Sequence, residues 1–90
     1  EMVVVPVEVL IEITSDGVVE LEGLRFQSND RDLNDLITQI MGLRQIALSQ
    51  KSPFFVNIAP HQDALHWRII DVMDACAAAG VESLSFSKAL

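Results

Sequence analysis

The chain has 90 residues, half of them hydrophobic, and a formal net charge of −7 at pH 7. This length is enough for one domain and leaves little room for a second. Nine acidic residues fall within the first 35, where only Arg25 and Arg31 oppose them. Such a surface would repel a nucleic-acid backbone and anionic lipid head groups, whereas it would tolerate a basic partner segment or simply be solvated.

The apolar content is high for a small soluble domain. A core of this size cannot enclose all of these side chains, so we expect some apolar surface to contact another molecule. The composition therefore predicts a homodimer or a module that docks onto a partner.

Cys76 is the only cysteine, which excludes a disulfide within the chain. Its place on an apolar helical stripe predicts a small buried side chain and not a nucleophile. The sequence shows no run of 18 apolar residues and no signal peptide. Because it begins with Glu1, we expect it to be a fragment of a longer protein.

The first predicted strand covers Val7 to Thr14, where alternation gives one buried face. Ser15 to Gly17 is a turn signal, and a second strand follows from Val18 to Glu22. The two segments predict an antiparallel hairpin.

Whether the loop has an odd or an even number of residues decides which side chains share a face in this hairpin. A three-residue loop pairs Ile13 with Val19 and Ile11 with Leu21, which keeps the core face apolar, and it places Gly17 where a left-handed residue is needed. A loop of two or four residues would mix the two faces. The sequence therefore predicts the three-residue loop, at the cost of setting two glutamates opposite each other.

A second turn is predicted at Glu22-Gly23, after which Leu24 to Phe26 extends or flanks the sheet. A helix then begins near Ser28, Asn29 or Asp30, each a candidate N-cap, and runs to about Gln50. Its core face is predicted to consist of Leu33, Leu36, Ile37, Ile40, Leu43 and Ala47.

A strand at Phe54 to Ala59 is followed by a second helix and a glycine stop at Gly80. A short closing strand is expected around Ser83 to Ser87, where serines alternate with Leu84 and Phe86. The apolar stripe of the second helix is predicted to consist of Ile69, Val72, Met73, Cys76 and Ala77.

The predicted element order is β-β-α-β-α-β, within a single domain that covers residues 1–90. A parallel closing β-α-β unit and an antiparallel opening hairpin give a mixed sheet. Each helix has one apolar face, so both pack on the same side of that sheet. The expected fold is an α+β two-layer sandwich.

One cluster could carry site chemistry, since His61, Asp63 and His66 supply imidazole and carboxylate groups that suit zinc. The alternative is that Asp63 caps the second helix through the amide of Leu65 or His66, with the histidines on the surface. Trp67 either anchors an interface or packs half-buried. No catalytic triad, phosphate loop or cysteine pair is present in the sequence.

Arg68, one residue further, is expected to form a surface ion pair with Asp71 or Glu82.

The stretch Arg68 to Phe86, RIIDVMDACAAAGVESLSF, and the opening VEVLIEITSDGVVELEG resemble the periplasmic domain of the ExbD/TolR family. The similarity covers about Val7 to Ser87 and rests on turns and apolar positions. The chain departs from the family in the loop before the second helix, which reads Pro60-His61-Gln62-Asp63 and has His66 where an aromatic residue is expected. Asp63 keeps its place.

The resemblance implies a non-enzymatic, single-pass inner-membrane protein whose soluble domain lies in the periplasm and dimerises. The transmembrane helix would carry a proton-bearing Asp upstream of this chain. Implied partners are an ExbB/TolQ-like channel protein, a TonB/TolA-like transducer segment and, in the TolR branch, peptidoglycan; no cofactor is implied.

An extended partner segment could add a strand to an edge of the sheet. The residues expected to contact partners are Asp63, His66, Trp67, Ser83, Leu84, Ser85 and Phe86. The alternatives are a small metal-binding regulatory or enzymatic domain using His61, Asp63 and His66, and a free-standing cytosolic adaptor.

Overall fold

The computed structural model describes residues 5–87 and contains two helices and five strands. In chain order these are β1 (Val7–Ile13), β2 (Val19–Leu21), β3 (Leu24–Phe26), α1 (Asn34–Ser49), β4 (Phe54–Pro60), α2 (His66–Ala78) and β5 (Leu84–Phe86). Within the described residues, neither helix has the length and apolar character required to cross a bilayer.

The strands form one sheet in the order β3-β2-β1-β4-β5. Strands β1, β2 and β3 pair antiparallel, whereas β4 pairs parallel with both β1 and β5. The predicted α+β sandwich with a mixed sheet is confirmed. The observed order has one strand more than predicted, because the Glu22-Gly23 turn, with φ of 48° and 86°, folds β3 back onto β2.

The hairpin register is confirmed. Ile11 pairs with Leu21 and Ile13 with Val19, and the Thr14 amide donates to the Val18 carbonyl at 2.8 Å to close the loop. Gly17 has φ of +88°, and a Cβ there would lie 3.0 Å from that of Ser28. Glycine at this position therefore satisfies both a left-handed backbone and a close approach of the next loop.

The core lies between the helices and one face of the sheet. Val9, Ile11, Val56 and Ile58, from the two central strands, are 1% exposed or less. The helices contribute Leu36, Ile40, Ala47, Val72, Ala75 and Cys76 to the same cluster or to its buried margin. Burial raises the pKa of the Cys76 thiol to about 11, so that it is protonated at neutral pH, in line with the predicted packing role.

Helix α1 begins later than predicted. It starts at Asn34, and no side chain caps its first turn. Asp30 instead accepts the Leu33 amide at 3.1 Å, and Leu33 has a left-handed backbone with φ of 51°. The side chain of Leu33 is fully buried. The left-handed backbone at Leu33 directs this side chain into the core, and the helix starts only at the next residue.

Helix α2 is rotated relative to the predicted stripe. Its buried residues are Arg68, Val72, Ala75 and Cys76, whereas Ala77 is exposed and Ile69 and Met73 are half-buried. The helix ends as predicted at Gly80, with φ of +82°. The Val81 and Gly80 amides donate to the carbonyls of Cys76 and Ala77, which is the hydrogen-bonding pattern of a glycine-terminated helix.

The expected ion pair of Arg68 with Asp71 is present, but its expected surface location is wrong, because the Arg68 side chain is fully buried. Its Nε donates to the Gly17 carbonyl at 2.7 Å. Nη1 and Nη2 donate to the carbonyls of Asp30 and Gln27, each at 2.8 Å. Nη1 also lies 3.3 Å from the Asp71 carboxylate. One guanidinium thus joins α2 to the β1–β2 loop and to the β3–α1 segment.

The Asp71 carboxylate also binds a second arginine. Arg31 donates to it through Nε at 2.5 Å and Nη2 at 3.1 Å. The Asp71 side chain is only 11% exposed, whereas that of Arg31 is 57% exposed. The hydrogen bond from Arg31, supported by Arg68, lowers the pKa of Asp71 below its ordinary value despite partial burial.

Replacing Arg68 should destabilise the domain strongly. Arg68→Leu leaves buried carbonyls without donors, and Arg68→Lys cannot reproduce the planar fork, so we expect losses of about 3 kcal/mol and about 2 kcal/mol in the free energy of unfolding. Urea denaturation measures both. Arg25→Leu is the control, because Arg25 forms an exposed pair with Glu20 at 3.4 Å and should cost less than about 1 kcal/mol. Similar losses for Arg68→Leu and Arg25→Leu would contradict the assignment.

Asp71 should make the stability of the domain depend on pH. Because its folded-state pKa is lowered, its stabilisation is complete above the unfolded pKa of about 4 and is lost as pH falls through the folded pKa. Asp71→Asn should therefore cost about 1 kcal/mol at pH 7 and progressively less below pH ~4. Urea denaturation across this pH range tests the trend. Asp74→Asn, at an exposed position of the same helix, is the control, and a loss independent of pH would contradict the prediction.

Candidate functional site: the β5 edge

Strand β5 forms one edge of the sheet, with β4 on its other side. The Val56 amide donates to the Ser83 carbonyl and the Ser87 amide donates to the Ile58 carbonyl, both at 3.0 Å. Backbone groups of successive residues in a strand point to opposite sides. The amides and carbonyls of Leu84 and Phe86 therefore point away from β4, toward the open side of the edge.

The side chains of this edge have different character on the two faces of the sheet. Leu84 and Phe86 pair with the buried Val56 and Ile58, so they lie on the helix side, but they are 36% and 53% exposed. Ser85 lies on the other face beside Asn57. An added strand would therefore meet apolar side chains on one face and a hydroxyl on the other.

The opposite edge, β3, is less suited to accept a strand. The tight β2–β3 turn makes Leu21 and Leu24 a hydrogen-bonded pair, so the backbone groups of Arg25 point outward. Arg25 is charged and pairs with Glu20 on the adjacent strand. Charged residues on an edge strand discourage further pairing, whereas β5 carries none.

The loop between β4 and α2 lies at the same end of the sheet as the end of β5, because the two strands are parallel. The His61 amide donates to the Ile13 carbonyl at 2.7 Å and fixes the loop to β1. The His61 Nδ1 accepts the Asp63 amide at 3.0 Å. The structure thus places Asp63 and His66 at that end of the sheet, in a loop held to β1, and not along β5.

The predicted capping role of Asp63 is wrong. Helix α2 begins at His66, and no side chain caps it at Leu65. The Asp63 amide is instead held by the His61 ring, which forms a turn before the helix.

Trp67 contacts a different part of the molecule. The Arg31 guanidinium lies 4.4 Å from the centroid of its ring, and the same arginine binds Asp71. A Cβ on Gly17 would be 4.0 Å from the ring. Trp67 is 39% exposed. Part of its ring therefore packs against Arg31 and the β1–β2 loop, and the rest is accessible to solvent.

The three residues of the possible zinc site do not form a metal-binding group. Within residues 5–87, no set of three or more His, Cys, Asp or Glu side chains is arranged to hold a metal ion. The His61 Nδ1 and the Asp63 carboxylate are 4.0 Å apart, and His61 uses that nitrogen for the turn.

Sequence reasoning identified the β5 segment but not the direction of its backbone groups, which follows only from its pairing with β4. It also missed the contribution of Arg31, whose partner Asp71 is 40 residues away. The alternation of serine with Leu84 and Phe86 was the signal for the edge. No local signal marks a contact at such a separation.

Comparison with known proteins adds no assignment, since no protein-family model and no curated protein matches the chain.

Proposed function

We propose that the domain is a binding module that captures an extended partner segment by strand addition at β5. The carrying observation is that the outward backbone groups of Leu84 and Phe86 belong to an uncharged edge with exposed apolar side chains. Backbone hydrogen bonds along an edge supply affinity, and the alternating side chains supply selectivity.

The proposed setting is an inner-membrane complex driven by the proton motive force, with this domain in the periplasm. The proposal rests on the ExbD/TolR resemblance, which is carried by the opening hairpin and the closing β4–α2–β5 unit. The strand at β5 would come from a TonB/TolA-like transducer, and an ExbB/TolQ-like channel protein would supply the energy. Peptidoglycan binding is the corresponding proposal for a TolR-type protein.

We also propose that the domain dimerises. Several large apolar side chains are more than a third exposed, and they are distributed over both helices and the sheet. They include Leu10, Met41, Ile46, Leu48, Phe55, Ile70, Leu84 and Phe86. A partner segment and a second copy would compete if both used β5, so the oligomeric state has to be measured alongside binding.

Proline substitutions at β5 test the proposal selectively. Leu84→Pro and Phe86→Pro each remove an amide that points away from β4, so they leave the internal ladder intact while blocking an added strand. We expect each to weaken binding of the periplasmic segment of the TonB/TolA-like partner by about tenfold or more. Isothermal titration calorimetry gives the affinity, and sedimentation gives the oligomeric state.

Arg25→Pro is the matched control, because it removes an outward amide at the other edge, β3. It should leave the affinity unchanged. Circular dichroism and urea denaturation establish that each variant is folded. Unchanged binding by folded Leu84→Pro and Phe86→Pro would contradict strand addition at β5, as would an equal loss with Arg25→Pro.

A further inference from the structure

A second place on the sheet also lacks a strand partner. Strand β1 covers Val7–Ile13, but β2 pairs with it only from Ile11 onward. Among residues 5–87, no strand pairs with the first half of β1 on the side away from β4. The chain turns away at Glu22-Gly23 and leaves this half open.

The backbone amide and carbonyl of Glu8 are free in this opening. The Val7 amide donates to the Pro53 carbonyl at 2.8 Å, and the Ile13 carbonyl accepts the His61 amide at 2.7 Å, so the odd-numbered residues of β1 face β4. By alternation the amide and carbonyl of Glu8 point to the open side. Glu8 has no strand opposite it there within the described residues.

The side chains around this opening are almost all acidic. A shallow depression of about 340 Å³ is lined by Glu8, Leu10, Glu12, Glu20, Glu22 and Gly23, and we call it the β1 notch. It lies on the face of the sheet opposite the helices, since Glu8, Leu10 and Glu12 alternate with the buried Val9 and Ile11. Leu10 is 46% exposed.

The glutamates of the β1 notch are poorly compensated. Glu12 and Glu20 are directly opposite each other in the hairpin, where like charges repel. Among the described residues, Glu20 is the only one of the four glutamates in an ion pair, with Arg25 at 3.4 Å. A cationic side chain placed over the notch would relieve this repulsion.

We propose that the β1 notch binds a short extended partner segment that carries lysine or arginine at alternate positions. The strand would pair with the free backbone of β1 at Glu8, in line with β2. Its basic side chains would lie on the same face of the sheet as the glutamates. The side chains between them would lie on the opposite face, with Val7 and Val9, and would be apolar. The unpaired strand supplies the backbone bonds, and the charge of the notch selects the partner.

A capped hexapeptide that alternates lysine and valine is the probe. We expect it to shift the amide resonances of Glu8 to Leu10 in the nuclear magnetic resonance spectrum and to slow hydrogen exchange at the Glu8 amide. Binding should weaken as salt is raised from 50 to 300 mM, because the charges involved are exposed. A peptide with glutamate in place of lysine should not bind.

Variants of the notch separate the charge from the fold. Glu8→Gln combined with Glu22→Gln should weaken binding by about threefold to tenfold. Glu82→Gln removes an exposed glutamate outside the notch and should leave the affinity unchanged. Both variants keep the backbone, so urea denaturation should show little change.

Three results would overturn the proposal. The first is no detectable binding of the lysine–valine peptide at millimolar concentration. The second is resonance shifts confined to β5, which would assign the peptide to the other open edge. The third is equal binding of a peptide whose lysine and valine amides are all N-methylated, since charge attraction alone would then account for the affinity without an added strand.

Discussion

The buried guanidinium of Arg68 is the contact on which the arrangement of this small domain depends. A charge without solvent access is tolerated only when its hydrogen-bonding groups are satisfied, and here carbonyls from the β1–β2 loop and the β3–α1 segment, with the Asp71 carboxylate, meet that need. These loops have little regular structure of their own. The arginine therefore fixes irregular backbone relative to α2, at the end of the sheet where the β4–α2 loop and Trp67 also lie.

Both helices pack on one face of the sheet, so the other face is open to solvent. A sheet covered on both faces would hide Leu10 and Phe55, but each is at least 40% exposed here. The strands also differ in length, since β1 and β4 have seven residues whereas β2, β3 and β5 have three each. Short outer strands limit aggregation through the edges, and they also leave part of a long central strand without a partner. The β1 notch follows from this mismatch, whereas β5 is open because it is an outermost strand.

Alternation of apolar residues and the placement of glycines were enough to predict the hairpin register, the parallel closing unit and the end of α2. Each of these depends on a pattern of neighbouring residues or on a single residue with a left-handed backbone. The start of α1 could not be predicted in this way: Asp30 has the chemistry of an N-cap, but burial of Leu33 in a left-handed conformation delays the helix. The burial of Arg68 could not be predicted for a related reason. It occupies the stripe of Val72 and Ala75 at helical spacing, yet a charged residue is assigned to solvent unless distant carbonyls are known to receive it.

The two proposed binding places differ in the physical forces that would act at them. The β5 edge has no charge, so strand addition there would rely on backbone bonds and the exposed Leu84 and Phe86, and it would respond weakly to salt. The β1 notch is anionic within a chain of net charge −7, so it would attract basic segments from a distance and release them as ionic strength rises. Because β1 and β5 are separated by β4, segments bound at both would extend the sheet in different directions and need not compete. A domain built in this way could hold an uncharged strand and a basic strand at once.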